Sequence, residues 1–352
     1  MAEVLLLGMT HYPLLATTDE HMADLLRMTL QDPGMPESAK DPSTWGQAMQ
    51  AEWGDDKAVA SAAVHRAALL AGFDEVRTAL EAFDPDAILV WGDDQYENFR
   101  EGVIPPYALL AYGDLEAHPW ATFPWPNVWG EPTDAAFTVK GRPDIGRWLA
   151  TKLLEDSFDV AYAYQPLNHP SLAHAFLNTQ LFLDYDRIGF RWPLVCMPIN
   201  CYGRRVIAAR GFTRPFGTTL DFDPPSPAPG RLMDLGGAVA RHLRASPWRM
   251  AIVASSSWSH AFLCDKFWRL YPDIPADRAL YDAMVTGDHD RWAAITTAAI
   301  EDAGQQELLN WFTLMGAARE LGLGPPAWST FVETHCFNSN KSFAYWEPVG
   351  AS

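Results

Sequence analysis

Glu3-Val4-Leu5-Leu6-Leu7-Gly8-Met9, running directly into Thr10-His11-Tyr12-Pro13, is the stretch that decides the fold. It has the length of a strand and is apolar at neighbouring as well as alternate positions, the pattern of a strand covered on both faces. Ala87–Trp91, Val160–Tyr164, Leu194–Ile199 and Arg249–Ser255 read the same way. Helical spacing of apolar residues lies between and beyond them, over Ala58–Phe83, Ile145–Glu155, Leu232–Ala245 and Glu307–Leu321. Short apolar runs alternating with longer helices predict an α/β fold with a central, mostly parallel or mixed sheet and helices on both faces. Asp221–Gly230, with Pro224, Pro225, Pro227 and Pro229, cannot be helical and reads as an exposed connection. Neither half of the chain holds a complete set of strands and covering helices, so residues 1–352 are expected to form one catalytic domain. Within it, residues 31–56 look like an irregular insertion and a candidate lid.

At 352 residues, 48 % hydrophobic and 20 % charged, the chain can bury a large core and is not a disordered segment. The net charge of −18 opposes nucleic acids and anionic membrane surfaces and leaves small molecules as the expected partners. No apolar run approaches the ~20 residues of a membrane span. Glu3 and the shortness of the first apolar run argue against a signal peptide, so a cytoplasmic location is expected. Cys196, Cys201, Cys264 and Cys336 have no metal-site or redox spacing and read as reduced, buried thiols. With 15 Trp and 18 Phe, flat apolar pockets are easy to build.

The chemistry is carried by position. In open α/β sheets, ligands bind outside the carboxyl ends of the strands. The first run delivers His11 there, Ala87–Trp91 leads to Gly92-Asp93-Asp94-Gln95, Val160–Tyr164 to Asn168-His169, and Arg249–Ser255 to Ser259-His260. A single histidine is often a satisfied structural residue, but His11, His169 and His260 in equivalent places point to one shared site. For Gly92–Asp94 a solvated turn is the competing reading, and for Arg204-Arg205 a surface pair outweighs a carboxylate-binding role.

These segments, in this order, resemble the class III extradiol ring-cleaving dioxygenases, of the protocatechuate 4,5-dioxygenase catalytic-subunit and dihydroxyphenylpropionate dioxygenase type. Gly8-Met9-Thr10-His11-Tyr12-Pro13-Leu14 is similar to the family's first segment, and Asp94-Gln95-Tyr96-Glu97-Asn98-Phe99 with Val103-Ile104-Pro105-Pro106-Tyr107 to its second. Asn168-His169 resembles the segment of the acid/base histidine, and Trp258-Ser259-His260 a substrate-contacting one. Leu308–Ala317 and Asn338–Lys341 resemble later parts. The resemblance implies a non-haem iron centre with His11 and Asp277 as ligands, Asp273 and Asp282 being nearby alternatives to Asp277. It further implies His169 as acid/base and His260 as a catalytic residue at the substrate. Tyr12, His335 and Asn338 are candidate substrate contacts, and His174 a candidate supporting residue behind His169.

One departure bears on the metal. The family carries Asp-His where this chain has Asp94-Gln95, so Gln95 occupies the position of the second iron-binding histidine. Its amide oxygen could coordinate, at lower affinity than imidazole. Asp93, Asp94 or Glu97 could instead supply a carboxylate suited to iron, manganese or magnesium, or the metal could be lost. The expected activity is therefore dioxygenation of a catecholic or related aromatic compound with O2, using Fe(II) or alternatively Mn(II), in a chain that could form homodimers. The alternatives are a metal-free hydrolase, decarboxylase or isomerase using His169 and His260, and a non-catalytic subunit paired with a competent paralogue.

Overall fold

The computed structural model describes residues 2–350. Its strands are β1 (Val4–Met9), β2 (Ala87–Asp93), β3 (Ala108–Leu110), β4 (Leu115–Ala117), β5 (Phe137–Val139), β6 (Ala161–Ala163), β7 (Leu194–Ile199), β8 (Met250–Ser255), β9 (Trp328–Val332) and β10 (Lys341–Tyr345). Eight of them form one sheet in the order β6-β3-β7-β2-β8-β1-β10-β9, while β4 and β5 make a separate hairpin. The neighbours β7, β2, β8 and β1 are mutually parallel, so their carboxyl ends share one edge. β1 and β10 pair antiparallel, as do β10 and β9. The mixed α/β sheet expected from the apolar runs is thus present.

Every residue of β1, β2, β7 and β8 is buried, and the pleat sends alternate side chains to opposite cores. Leu5, Leu7, Ile88, Val90, Ala251 and Val253 face one cluster, which includes Leu69, Phe73 and Phe176. Val4, Leu6, Leu89, Trp91, Ile252 and Ala254 face the other, with Leu149, Val239 and Phe312. The helices supplying these layers include α4 (Val59–Phe83), preceded by α1 (Asp24–Thr29), α2 (Glu37–Lys40) and α3 (Gln47–Trp53). Next come α5 (Pro143–Glu155), α6 (His174–Leu183), α7 (Gly203–Ala208) and α8 (Pro229–Ala245). α9 (Ile274–Thr286), α10 (His289–Ala293), α11 (Thr297–Asp302) and α12 (Leu309–Glu320) complete the set. Helices α8 and α12 pack backbone to backbone: a Cβ on Gly236 would lie 1.8 Å from Thr313 O, and one on Gly316 2.0 Å from Met233 O.

Several expectations need adjustment. Residues 31–56 are not irregular throughout, since α2, α3 and a 3-10 turn occupy much of them. Met49 and Trp53 on α3, with Trp45, are buried in the main core, and Glu52 accepts hydrogen bonds from the backbone of His335 and Cys336. The proline-rich connection ends at Pro229, which opens α8 in the first-turn position where a missing N–H costs nothing. Strand β6 does not run with the central four: it is parallel to β3, and β3 is antiparallel to β7. The carboxyl end of β6 therefore points away from the edge that carries His11, and the following segment has to double back.

Candidate functional site

At the shared edge, His11 follows β1 and Asp93 is the last residue of β2. His11 Nδ1 donates to Ser255 O at 2.8 Å, across the parallel β1–β8 pairing. That fixes the tautomer and leaves Nε2 as a bare lone pair, 3.3 Å from Asp93 Oδ1 and 3.7 Å from Glu307 Oε2. Glu307 sits in the 3-10 turn that leads into α12. Its Oε1 is 3.1 Å from His260 Nε2 and accepts the Tyr202 hydroxyl. His260 Nδ1 donates to Trp258 O at 2.7 Å, so this imidazole is also held at both nitrogens.

The segment returning from β6 completes the cluster. It is anchored by Asn98, whose Oδ1 accepts from Leu167 N (2.8 Å) and whose carbonyl accepts from Asn168 Nδ2 (2.8 Å). It ends at His174, the first residue of α6. Glu97 grips His174 twice, accepting from its backbone N–H (3.0 Å) and from Nδ1 (2.8 Å). The imidazole then meets His11 edge-on, ring centroids 5.0 Å apart. One ligand atom each from His11, Asp93 and His174 lie within 4.8 Å of one another.

The sequence-derived candidates divide. His11 and His260 come together around Glu307. His169 stands in the return segment, its Nδ1 accepting from Ser171 N (3.1 Å), while His174 faces His11. Gln95 reaches the cavity wall, but its amide donates to Gly211 O at 2.5 Å. Asp94 turns inward to accept the backbone N–H groups of Glu97, Asn98 and Phe99. Asp277, on α9, is fully buried and accepts from Ser259 N, Gln305 Nε2 (2.8 Å) and Asn340 Nδ2 (2.7 Å), the surroundings of a structural carboxylate. Tyr12 donates to Met22 O and lies beneath the buried Lys341 ammonium, 3.8 Å from its ring centroid. Asn338 lines the cavity, whereas His335 donates its N–H to Glu52 and packs against Tyr271. Arg204 and Arg205 are tied up by Glu301 and Asp265. The cysteines are all free and buried.

The residues hardest to assign from sequence were His174 and Glu307. A buried glutamate opening an otherwise apolar helix, Gln306-Glu307-Leu308-Leu309-Asn310-Trp311-Phe312, was the available signal for the second.

Above the cluster is an open cavity of about 820 Å³. Gln95, Glu97, His174, His260, Glu307 and Asn338 are on its polar wall together with Arg100, Arg210, Arg214 and Arg269, and Leu25, Met28, Phe123, Trp125, Phe212 and Phe262 are on its apolar one.

The electrostatics suit a cation. Asp93 is completely buried, and neither carboxylate oxygen has a hydrogen-bond partner among the described residues. Burial and the nearby Glu307 push its carboxyl well above the usual range. Burial lowers His11 to about 4, which leaves it neutral and able to donate its lone pair. Burial opposes the charge on His174, but Glu97 and then Asp93 and Glu307 outweigh it and raise that imidazole to about 10. Burial likewise works against ionised Glu307, yet His260, His11 and the Tyr202 hydroxyl hold it down at about 2. Two imidazoles and a carboxylate with unsatisfied oxygens are a donor set that could hold a divalent metal ion. Glu97 stands behind the His174 ring as carboxylates stand behind ligating histidines in metal sites.

No family model matches the chain. It is similar to 2,3-dihydroxyphenylpropionate/2,3-dihydroxicinnamic acid 1,2-dioxygenase 2 of Pseudomonas putida, with 24 % identity over 185 residues. Those residues are 52 % of this chain and 46 % of that protein, so the match spans less than half of the relative's length. No described helix is long and apolar enough to cross a membrane.

Proposed function

We propose that this chain is a metal-dependent ring-cleaving dioxygenase acting with O2 on a catecholic or related aromatic substrate. His11, His174 and Asp93 would hold the metal, Fe(II) before Mn(II), with Glu307 beside it. The observation that carries the reading is Asp93: a fully buried carboxylate with both oxygens unpartnered, faced by the bare Nε2 of His11. The similarity to a dioxygenase whose name specifies a diol-bearing aromatic acid supports the substrate class.

Held by His11, His174 and Asp93, a metal would supply the redox chemistry that couples the diol to O2. The chain's own residues do the rest. His260, on the cavity wall with Nδ1 on Trp258 O and Nε2 on Glu307, is placed to hold a proton at Nε2, give it to the substrate and recover it later. Tyr202 and His260 together hold Glu307 in place. Glu97 fixes the His174 ring and orients its Nε2. His169, beside Glu97 in the return segment, is left to support that segment rather than to touch substrate. Phe262, edge-on to His260, excludes water and positions a flat ring there.

The test is oxygen uptake by protein reconstituted anaerobically with Fe(II) and given a panel of catechols. O2 consumption matched to loss of diol and appearance of an absorbing ring-opened product is expected. Retention of no iron and consumption of no O2 would overturn the reading. Turnover that needs neither metal nor O2 would favour acid/base chemistry at His260 instead.

A further inference from the structure

The cavity is larger than a single ring needs. It measures about 820 Å³, whereas an apolar cavity of about 150 Å³ already takes benzene. His174, His260 and Glu307 occupy one end. The cavity's apolar lining elsewhere comes from three separate segments, Leu25 and Met28 on α1, Phe123 and Trp125 between β4 and β5, and Phe212 after α7, with the arginines on the wall besides. Phe262 joins the two parts, its ring edge-on to His260 at 5.5 Å. The far wall is firmly built. Trp125 Nε1 donates to Asp24 Oδ2 at 2.8 Å, which ties its segment to α1, and Phe123 packs against Trp125 at 5.5 Å. Met28 and Phe212 nevertheless remain 58 % and 75 % exposed, large apolar side chains with nothing covering them.

We propose that the substrate carries a second aromatic ring, attached to the diol ring, which lies against Phe123, Trp125, Phe212 and Met28. The inference rests on the ring-cleaving reading and extends it to the substrate class. Aromatic walls favour a flat, rigid group, which packs edge-on or offset and loses little freedom on binding, over a flexible aliphatic chain.

Two measurements test it. The first needs neither metal nor O2: calorimetric titration of the metal-free protein with phenol and with 2-phenylphenol. Burying about 100 Å² of the second ring predicts roughly 100-fold tighter binding of 2-phenylphenol. The second compares kcat/KM of the iron-loaded enzyme for catechol and biphenyl-2,3-diol, where the same preference is expected. Met28→Gln and Phe212→Gln, both at exposed positions, should each cut the two-ring preference several-fold and leave phenol and catechol unchanged. Equal affinities for the two phenols, or a preference that both variants leave intact, would overturn the proposal. A strong preference for 2-phenylphenol in an iron-loaded protein that consumes no O2 would support the two-ring cavity while refuting the ring-cleaving reading. Turnover of catechol without any advantage for the two-ring diol would do the reverse.

Discussion

Replacing Asp93 by Asn should stabilise the metal-free protein and abolish its response to metal. Asp93 is isosteric with Asn, fully buried, and has no donor at either oxygen among the described residues. Its folded-state carboxyl is held well above its ordinary 3.8 by burial and by Glu307. A raised folded pKa means that the folded chain binds a proton that the unfolded chain has released. The stability contribution of Asp93 is therefore complete below pH 3.8 and is lost as pH rises from there towards the folded value. Each pH unit in that window costs about 1.4 kcal/mol. Asn removes this term, and its amide can donate to the His11 lone pair 3.3 Å away. Thermal unfolding of chelator-treated protein should show the variant melting higher at pH 7, by about 2 °C for each kcal/mol removed, with the gap closing towards pH 4. Adding Fe(II) or Mn(II) at a hundred times Kd should stabilise wild type by about 2.7 kcal/mol and the variant hardly at all. A variant less stable than metal-free wild type at pH 7, or one stabilised equally by metal, would refute the reasoning.

Glu97→Gln keeps an oxygen for the backbone N–H of His174 but removes the charge behind its imidazole. Metal affinity, read by competition with a chelator, should fall about 10- to 100-fold while the fold persists. Asp277→Ala leaves the donors of Ser259, Gln305 and Asn340 unpaired in the core. It should cost about 3 kcal/mol or more in denaturant unfolding and leave metal content unchanged, whereas a ligand would lose the metal. Gly316→Ala places a Cβ 2.0 Å from Met233 O and must push α8 and α12 apart. A loss of about 3 kcal/mol is expected, with metal affinity preserved in the folded fraction.

The layered α/β fold was legible because β1, β2, β7 and β8 are buried on both faces and so carry unbroken apolar runs. β3 and β6 are too short to announce a direction, and the antiparallel step from β7 to β3 is a tertiary choice that no local pattern encodes. That step separates His169 from His174. Both lie in the segment after β6, and only the return path past Asn98, with α6 beginning at His174, settles which imidazole meets His11. β10 was hidden because Lys341 is polar in composition yet buried, its ammonium bonded to Phe337 O and lying over Tyr12. Among carboxylates, the family resemblance pointed to Asp277. What distinguishes them is hydrogen bonding: Asp277 is saturated by donors, while Asp93 has none. That is a property of packing rather than of order along the chain.

The most direct test of the site is iron content after anaerobic reconstitution of wild type, His174→Ala and His169→Ala. The account predicts near-stoichiometric iron in wild type and in His169→Ala, and loss of iron in His174→Ala. Iron retained by His174→Ala but lost from His169→Ala would contradict it.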